Sequence, residues 1–291
     1  MQLLIDQAQL DAALQAVGRV VPRRPAAEGT TAVIVSALEG RLELCATDLQ
    51  SYARVLLPAE VHAPGSACVE WQYLARVVSA LGRGEVALSV SSSSRSLRLT
   101  CGPSAFRLRT TAAEDFPILD PPAAWDFSIG AAEFADMISR TTFCAVDSDE
   151  SSPFFGVSLS ASQGELKVAA TDNFQLAHYV APIAAAGGDS AAREFATVLP
   201  TKGLNAFVKA LGALGGERVD LAFAERKLWL RSGTLWWSAR ALETRYPDLT
   251  RYTGRLGGVR VAVGKSALLD AVRQVASLPD DERAVAVRLE G

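Results

Sequence analysis

The sequence repeats itself with a period of roughly 124 to 131 residues. Residues 39–48 line up with 163–172: each block is a turn glycine (Gly40, Gly164), an alternating strand and a Thr-Asp pair (Thr47-Asp48, Thr171-Asp172). Residues 97–102 match 228–233, ending on Gly102 and Gly233, and each block runs on to an aromatic-Pro pair, Phe116-Pro117 and Tyr246-Pro247. Blocks that agree in order and spacing imply two copies of one folding unit. A third copy starts near Arg260, where 261–263 reads as a first strand, 265–276 as a first helix, and 285–291 resembles 34–40. Judged by the repeat length, about 75 residues of that copy are missing. The expected units are 1–124, 125–252 and an incomplete third, 253–291.

Within each unit the coarse order is strand, helix, several strands, helix, more strands. The spacing predicts helices at 9–19, 71–83, 132–143, 202–211 and 265–276. Leu10, Leu14 and Val17 fall on one face of the first, and Leu74, Val78 and Leu81 on one face of the second. Phe134 and Ile138, then Leu204, Val208 and Leu211, repeat that stripe in the next unit, and Leu268, Val272 and Val275 in the third. A single apolar stripe means that each helix covers a sheet with one face only. The intervening strands alternate as half-buried antiparallel strands do, so the fold class is α+β.

The chain has 291 residues, 49% of them hydrophobic, enough for at least two cores. No apolar run is long enough to span a bilayer. Residues 1–6 read as a strand rather than as a signal peptide, and a cytoplasmic location is expected. Cys45, Cys68, Cys101 and Cys144 form no CxxC pair and are expected as buried free thiols. His62 and His178 belong to no ligand-spaced cluster, so no metal and no cofactor is expected.

The net charge of −3 argues against a simple basic nucleic-acid binder. The predicted helices, however, carry eight basic residues (Arg19, Arg76, Arg83, Arg140, Lys202, Lys209, Lys265, Arg273) against four acidic ones (Asp11, Glu133, Asp136, Asp270). An acidic protein with net basic helices can present them to phosphates while its outside stays acidic. Asp48 and Asp172 recur in both repeats without a neighbouring His, Cys or second carboxylate. A turn-bonding role is expected for them, and no enzyme activity.

Taken together, the Thr-Asp strand ends, the Gly-rich turn Leu214-Gly215-Gly216, the Tyr246–Leu249 segment and the opening helix followed by Arg24-Pro25 resemble the β subunit of bacterial DNA polymerase III, the sliding clamp. The similarity runs through the whole chain. It implies three similar domains per subunit and two subunits joined head to tail around duplex DNA: a processivity factor in DNA replication that meets phosphates without reading bases. Arg24, Arg76, Arg140, Lys202 and Lys209 are the expected DNA-facing set. The resemblance also implies a pocket for a short peptide from the polymerase catalytic subunit, the clamp loader and other partners, with Phe154, Thr171, Leu176, Pro247, Arg251 and Tyr252 at its positions. Thr171 and Leu176 also fit a purely structural reading, since Thr47 and Leu49 stand at nearly equivalent places. The family usually carries Gly, an aromatic or His, then Arg after the Thr-Asp pair. Here Asn173-Phe174-Gln175 stands there, and the loss of the Arg removes a bidentate donor. A homodimer is expected if the third domain is completed; the alternative is a truncated or divergent paralogue that binds peptides without closing a ring.

Overall fold

Asp6 starts the first helix. Its carboxylate accepts the backbone N–H groups of Ala8 (3.0 Å) and Gln9 (3.1 Å), which have no partner inside the helix. The computed structural model describes residues 1–22, 30–91, 95–114, 116–187, 193–249 and 261–277. They fall into two compact units, Met1–Pro247 and Asp248–Gly291.

The first unit holds the same element series twice. The first series is β1 (Gln2–Asp6), α1 (Gln7–Val17), β2 (Ala32–Leu38), β3 (Arg41–Thr47), β4 (Ser51–Pro58), β5 (Glu60–Ala63), β6 (Gly65–Glu70), α2 (Trp71–Ala80), β7 (Glu85–Ser91), β8 (Ser96–Cys101) and β9 (Ser104–Thr111). The second is β10 (Phe127–Gly130), α3 (Ala131–Ser139), β11 (Val157–Ser162), β12 (Glu165–Thr171), β13 (Leu176–Pro182), β14 (Ala184–Ala185), β15 (Phe195–Leu199), α4 (Thr201–Leu214), β16 (Arg218–Ala224), β17 (Lys227–Ser232) and β18 (Leu235–Arg240). A 3-10 turn, Thr142–Cys144, follows α3.

Helix ends differ from the sequence expectation where side chains intervene. α1 begins two residues early because Asp6 caps it. α3 stops at Ser139 rather than at 143: the Thr141 hydroxyl donates to the Met137 carbonyl (2.8 Å), and the chain tightens into the 3-10 turn. α2 ends at Ala80 because Leu81 is already extended. The apolar stripes are where the spacing puts them, with Leu10, Leu14, Leu74, Val78, Phe134, Ile138 and Leu204 buried.

All ladders between these strands are antiparallel. One sheet runs β14-β10-β16-β17-β18-β4-β3-β2-β6-β9-β8-β7-β1-β5, and a smaller one β13-β12-β11-β15. The large sheet crosses from one repeat to the other where β18 pairs with β4, with Leu235 opposite Val55 and Trp237 opposite Ala53. Trp237 is fully buried there and packs against Phe207 of α4. On the other face of this seam, the Arg54 guanidinium lies 5.6 Å from the centre of the Trp236 ring and pairs with Glu43. The larger hydrophobic core extends from Leu3 to Ala241 through both repeats, and a second, smaller cluster that includes Ile34, Tyr52, Phe116 and Trp229 also draws on both.

Three of the four cysteines are buried, as expected. Cys101 is a correction: it is only half-buried, at the end of β8. Burial pushes the Cys45 thiol far above its usual range, and the neighbouring Glu43 carboxylate adds to the shift.

In the second unit the described residues are 248–249 and 261–277, with one helix, α5 (Lys265–Ala276). Residues 261–264 form no strand, contrary to the sequence reading. A strand needs a paired neighbour, and the described residues hold none there. Leu268 and Val275 remain 43% and 51% exposed, so the amphipathic helix has its stripe uncovered.

Candidate functional site

The helices of Met1–Pro247 stand side by side in the order α2, α1, α4, α3, neighbours packing pairwise. The order follows from the seam. Joining β18 to β4 brings the second helix of one repeat against the first helix of the other. Each helix turns its apolar stripe into the core and leaves its polar face out.

Arg76 on α2, Lys202 and Lys209 on α4 and Arg140 after α3 are all exposed. Two of the four already hold carboxylates. Arg140 Nε donates to Asp136 (2.6 Å), and the Lys202 ammonium lies 3.4 Å from Asp48 across the seam. Arg24 lies outside the described residues. Arg19, at the end of α1, was not in the expected set. It shares with Lys202 and Lys209 a cleft of about 790 Å3 at the seam, whose wall also includes Asp48, Asp147 and Glu150. Its signal in the sequence was its place just beyond the last apolar position of α1.

Of the residues expected at a peptide pocket, Thr171 and Leu176 face each other across the β12–β13 ladder. The Tyr246 hydroxyl accepts the Thr171 N–H (2.9 Å), which ties Pro247, the next residue, to the same place. Burial raises the Tyr246 pKa, and that accepted bond partly offsets it. Phe154 is half-buried in the turn before β11, its N–H on the Ser152 hydroxyl (3.2 Å). Arg251 and Tyr252 lie outside the described residues. Tyr246 itself was missed, although it is the aromatic of the repeated aromatic-Pro pair.

Thr171 does not offer a free hydroxyl. It donates to the Gln175 carbonyl (2.6 Å) and accepts the Asn173 N–H (3.1 Å). Asp172 accepts the N–H groups of Phe174 (2.9 Å) and Gln175 (2.7 Å), and these bonds hold its carboxyl below the usual carboxylate range. Thr47 and Asp48 make the same four bonds with 49–51. The Thr-Asp pair is therefore a turn device common to both repeats. Both turns need a left-handed residue in third place, φ 71° at Leu49 and 77° at Asn173. Asn enters that region readily, so it can stand where the family carries Gly. Phe174, which keeps the aromatic the family carries there, has its ring 92% exposed at the tip of the turn, and Phe143 is 68% exposed on the 3-10 turn that packs on β12 and β13. Leu176 is 37% exposed.

Among the described residues there is no group of three or more His, Cys, Asp or Glu placed to hold a metal. No described helix is long and apolar enough to cross a membrane.

Two family models match the chain: DNA polymerase III beta subunit, N-terminal domain, over residues 1–120, and the central domain of the same subunit over 128–248. The beta sliding clamp of Synechococcus elongatus is 26% identical over 286 residues, covering 97% of this chain and 75% of that protein. The beta sliding clamp of Caulobacter vibrioides is 27% identical over 306 residues, covering 100% and 78%. The crystal structure of the DNA polymerase sliding clamp from Bacillus subtilis shares the fold with a TM-score of 0.84 at 21% identity, over 97% of this chain and 75% of that one.

Proposed function

Since the chain belongs to the DNA polymerase III beta subunit family, we propose that it is a sliding clamp, a non-catalytic tether that holds replication proteins on duplex DNA in the cytoplasm. The observation that carries this reading is the row of four helices, with exposed cations on α2 (Arg76) and α4 (Lys202, Lys209) and just beyond the ends of α1 (Arg19) and α3 (Arg140). α1 and α3 themselves carry only acidic charges, so these four helices are not net basic as the sequence reading expected. Cations on exposed helix faces meet phosphates at any sequence, and binding energy that varies little along the duplex permits sliding. Arg76 and Lys209 are the strongest candidates, with Arg19 added to them. Arg140 and Lys202 contribute less, since a carboxylate already offsets each charge.

The test is a double charge reversal, Arg76→Glu with Lys209→Glu. Affinity is expected to fall by the same factor on unrelated duplexes. The slope of log affinity against log salt should shrink by about 0.9 for each phosphate that the variant no longer neutralises. A reduction confined to one sequence, or an unchanged affinity, would refute the assignment.

The partner site we place at Leu176 and Pro247, extended by the exposed rings of Phe174 and Phe143. An apolar anchor laid there gains about 25 cal/mol per Å2 buried, less the cost of ordering the peptide. Leu176→Asp sets a charge on that floor and is expected to abolish binding of a fluorescent polymerase-tail peptide, with the thermal unfolding midpoint little changed because the side chain is already exposed. Equal affinity of both proteins would place the site elsewhere. Mass measurement of the DNA-bound complex decides between this reading and the alternative, a paralogue that binds partners without closing a ring.

A further inference from the structure

Between the 3-10 turn and β11 the chain makes a closed loop, residues 146–156. Val146 bridges to Phe155 at its neck, and the Gly156 N–H donates to the Val146 carbonyl (3.0 Å). Gly156 also packs against β15: it turns at φ 85°, and a Cβ there would stand 2.6 Å from the Leu199 carbonyl oxygen. That contact sets the loop beside Pro200 and Thr201, where α4 starts. Asp149 serves the loop itself. Its carboxylate accepts the Ser151 N–H (3.0 Å) and the Ser151 hydroxyl (2.6 Å), and these bonds hold its pKa below the usual carboxylate range. Asp147 and Glu150 take no part in those bonds. Both are exposed, and among the described residues no ion pair engages either.

Instead, Asp147 and Glu150 line the cleft at the seam. Among the described residues its wall sets three cations, Arg19, Lys202 and Lys209, against three carboxylates, Asp48, Asp147 and Glu150. Asp48 is at ion-pair distance from Lys202 (3.4 Å). Arg19 and Lys209 are then the cations left without a direct partner there, and Asp147 and Glu150 are the carboxylates so left. A cleft of about 790 Å3 is on the order of 10 Å across, about one Debye length at 0.1 M salt, so each of these charges acts on whatever enters it.

We propose that Asp147 and Glu150 attenuate the DNA contact of this cleft. They are negative charges held beside Arg19 and Lys209 by a loop that closes without them, and a duplex that approaches those cations meets their repulsion at the same distance. The inference rests on the reading of the helix row as DNA-facing. Affinity for the backbone grows with each phosphate that a protein neutralises, and a contact that sliding requires must also release each phosphate readily. Two fixed carboxylates beside the cations keep the contact loose without removing it. They act through their field and not through a bond, so the effect depends on ionic strength and on charge, not on the shape of either side chain.

The experiment compares the native chain with Asp147→Asn, Glu150→Gln by fluorescence anisotropy on two unrelated labelled duplexes over a salt series. The neutral-loop variant is expected to bind both duplexes about three- to tenfold tighter at ~0.1 M salt. That gain should shrink steadily as salt rises and the Debye length shortens toward about 3 Å. Returning the charges as Asp147→Glu with Glu150→Asp should restore the native affinity. Both side chains are exposed, so the unfolding midpoint should hold, and Glu150→Gln alone should give part of the gain. An unchanged affinity, a gain undiminished by salt, or a gain kept when the charges are returned overturns the proposal. Arg76→Glu with Lys209→Glu separates it from the reading on which it rests. If that variant loses affinity while the neutral loop changes nothing, the helix row binds DNA and the attenuation is wrong; if neither variant moves the affinity, both readings fall.

Discussion

Asp172 shows how a residue can look like a site and be a joint. Two backbone N–H groups stabilise its ionised form, so the folded state holds its proton less tightly than the unfolded chain does. With a lowered folded-state pKa, the stabilisation is complete above the ordinary carboxylate value and is lost as pH falls through the lowered one. Asp172→Asn keeps an oxygen that accepts both bonds but cannot titrate there. Thermal midpoints of the native protein should therefore fall more steeply than those of the variant below about pH 4, and the two curves should run parallel near neutrality. The bonding role of this residue was legible in the sequence, because the same pair recurs without chemistry around it. The exposure of Phe174 was not. An aromatic in a polar turn reads equally well as a buried plug, and only the turn geometry fixed by Thr171 and Asp172 sends it outward.

At the scale of elements, apolar spacing placed all five helices, since a stripe of Leu and Val at three and four residues has one way to be buried. Their ends were less legible, because single hydrogen bonds set them: Asp6 at one start, Thr141 near one stop. Gly18 is a third such case. A Cβ there would stand 2.2 Å from the Trp71 ring, whose N–H donates to the Leu14 carbonyl (2.8 Å). Its φ is −62°, ordinary for any residue, so backbone freedom is not the reason for glycine. Gly18→Ala would by chain entropy alone stabilise the protein slightly. The clash reverses the sign, and urea unfolding should show a destabilisation of about 1–3 kcal/mol. Residues 261–263 failed as a strand for a different reason. A strand is a property of a pair, and the sequence around Arg260 cannot display its partner.

The whole molecule joins two repeats through a sheet and a shared core rather than through a linker. Sequence comparison of the blocks revealed the repeat, yet not this seam, because Trp237 and Ala53 are far apart in the chain and nothing in either block marks them as neighbours. A core running from Leu3 to Ala241 predicts that the repeats unfold together. Fluorescence of Trp71 and of Trp237, isolated in turn by replacing the other tryptophans with Phe, should report one coincident urea transition. Two separated midpoints would mean that the repeats are energetically independent.

The same seam governs how the molecule responds to load. A joint made by a five-residue ladder with an aromatic wedged behind it continues the sheet and the packing of both halves. Opening the joint would break the bonds of this ladder and the packing behind it together, so the middle of Met1–Pro247 resists separation. Strain placed on either repeat is passed across the join toward the outer strands, where, among the described residues, β13 and the front half of β9 are held on one side only.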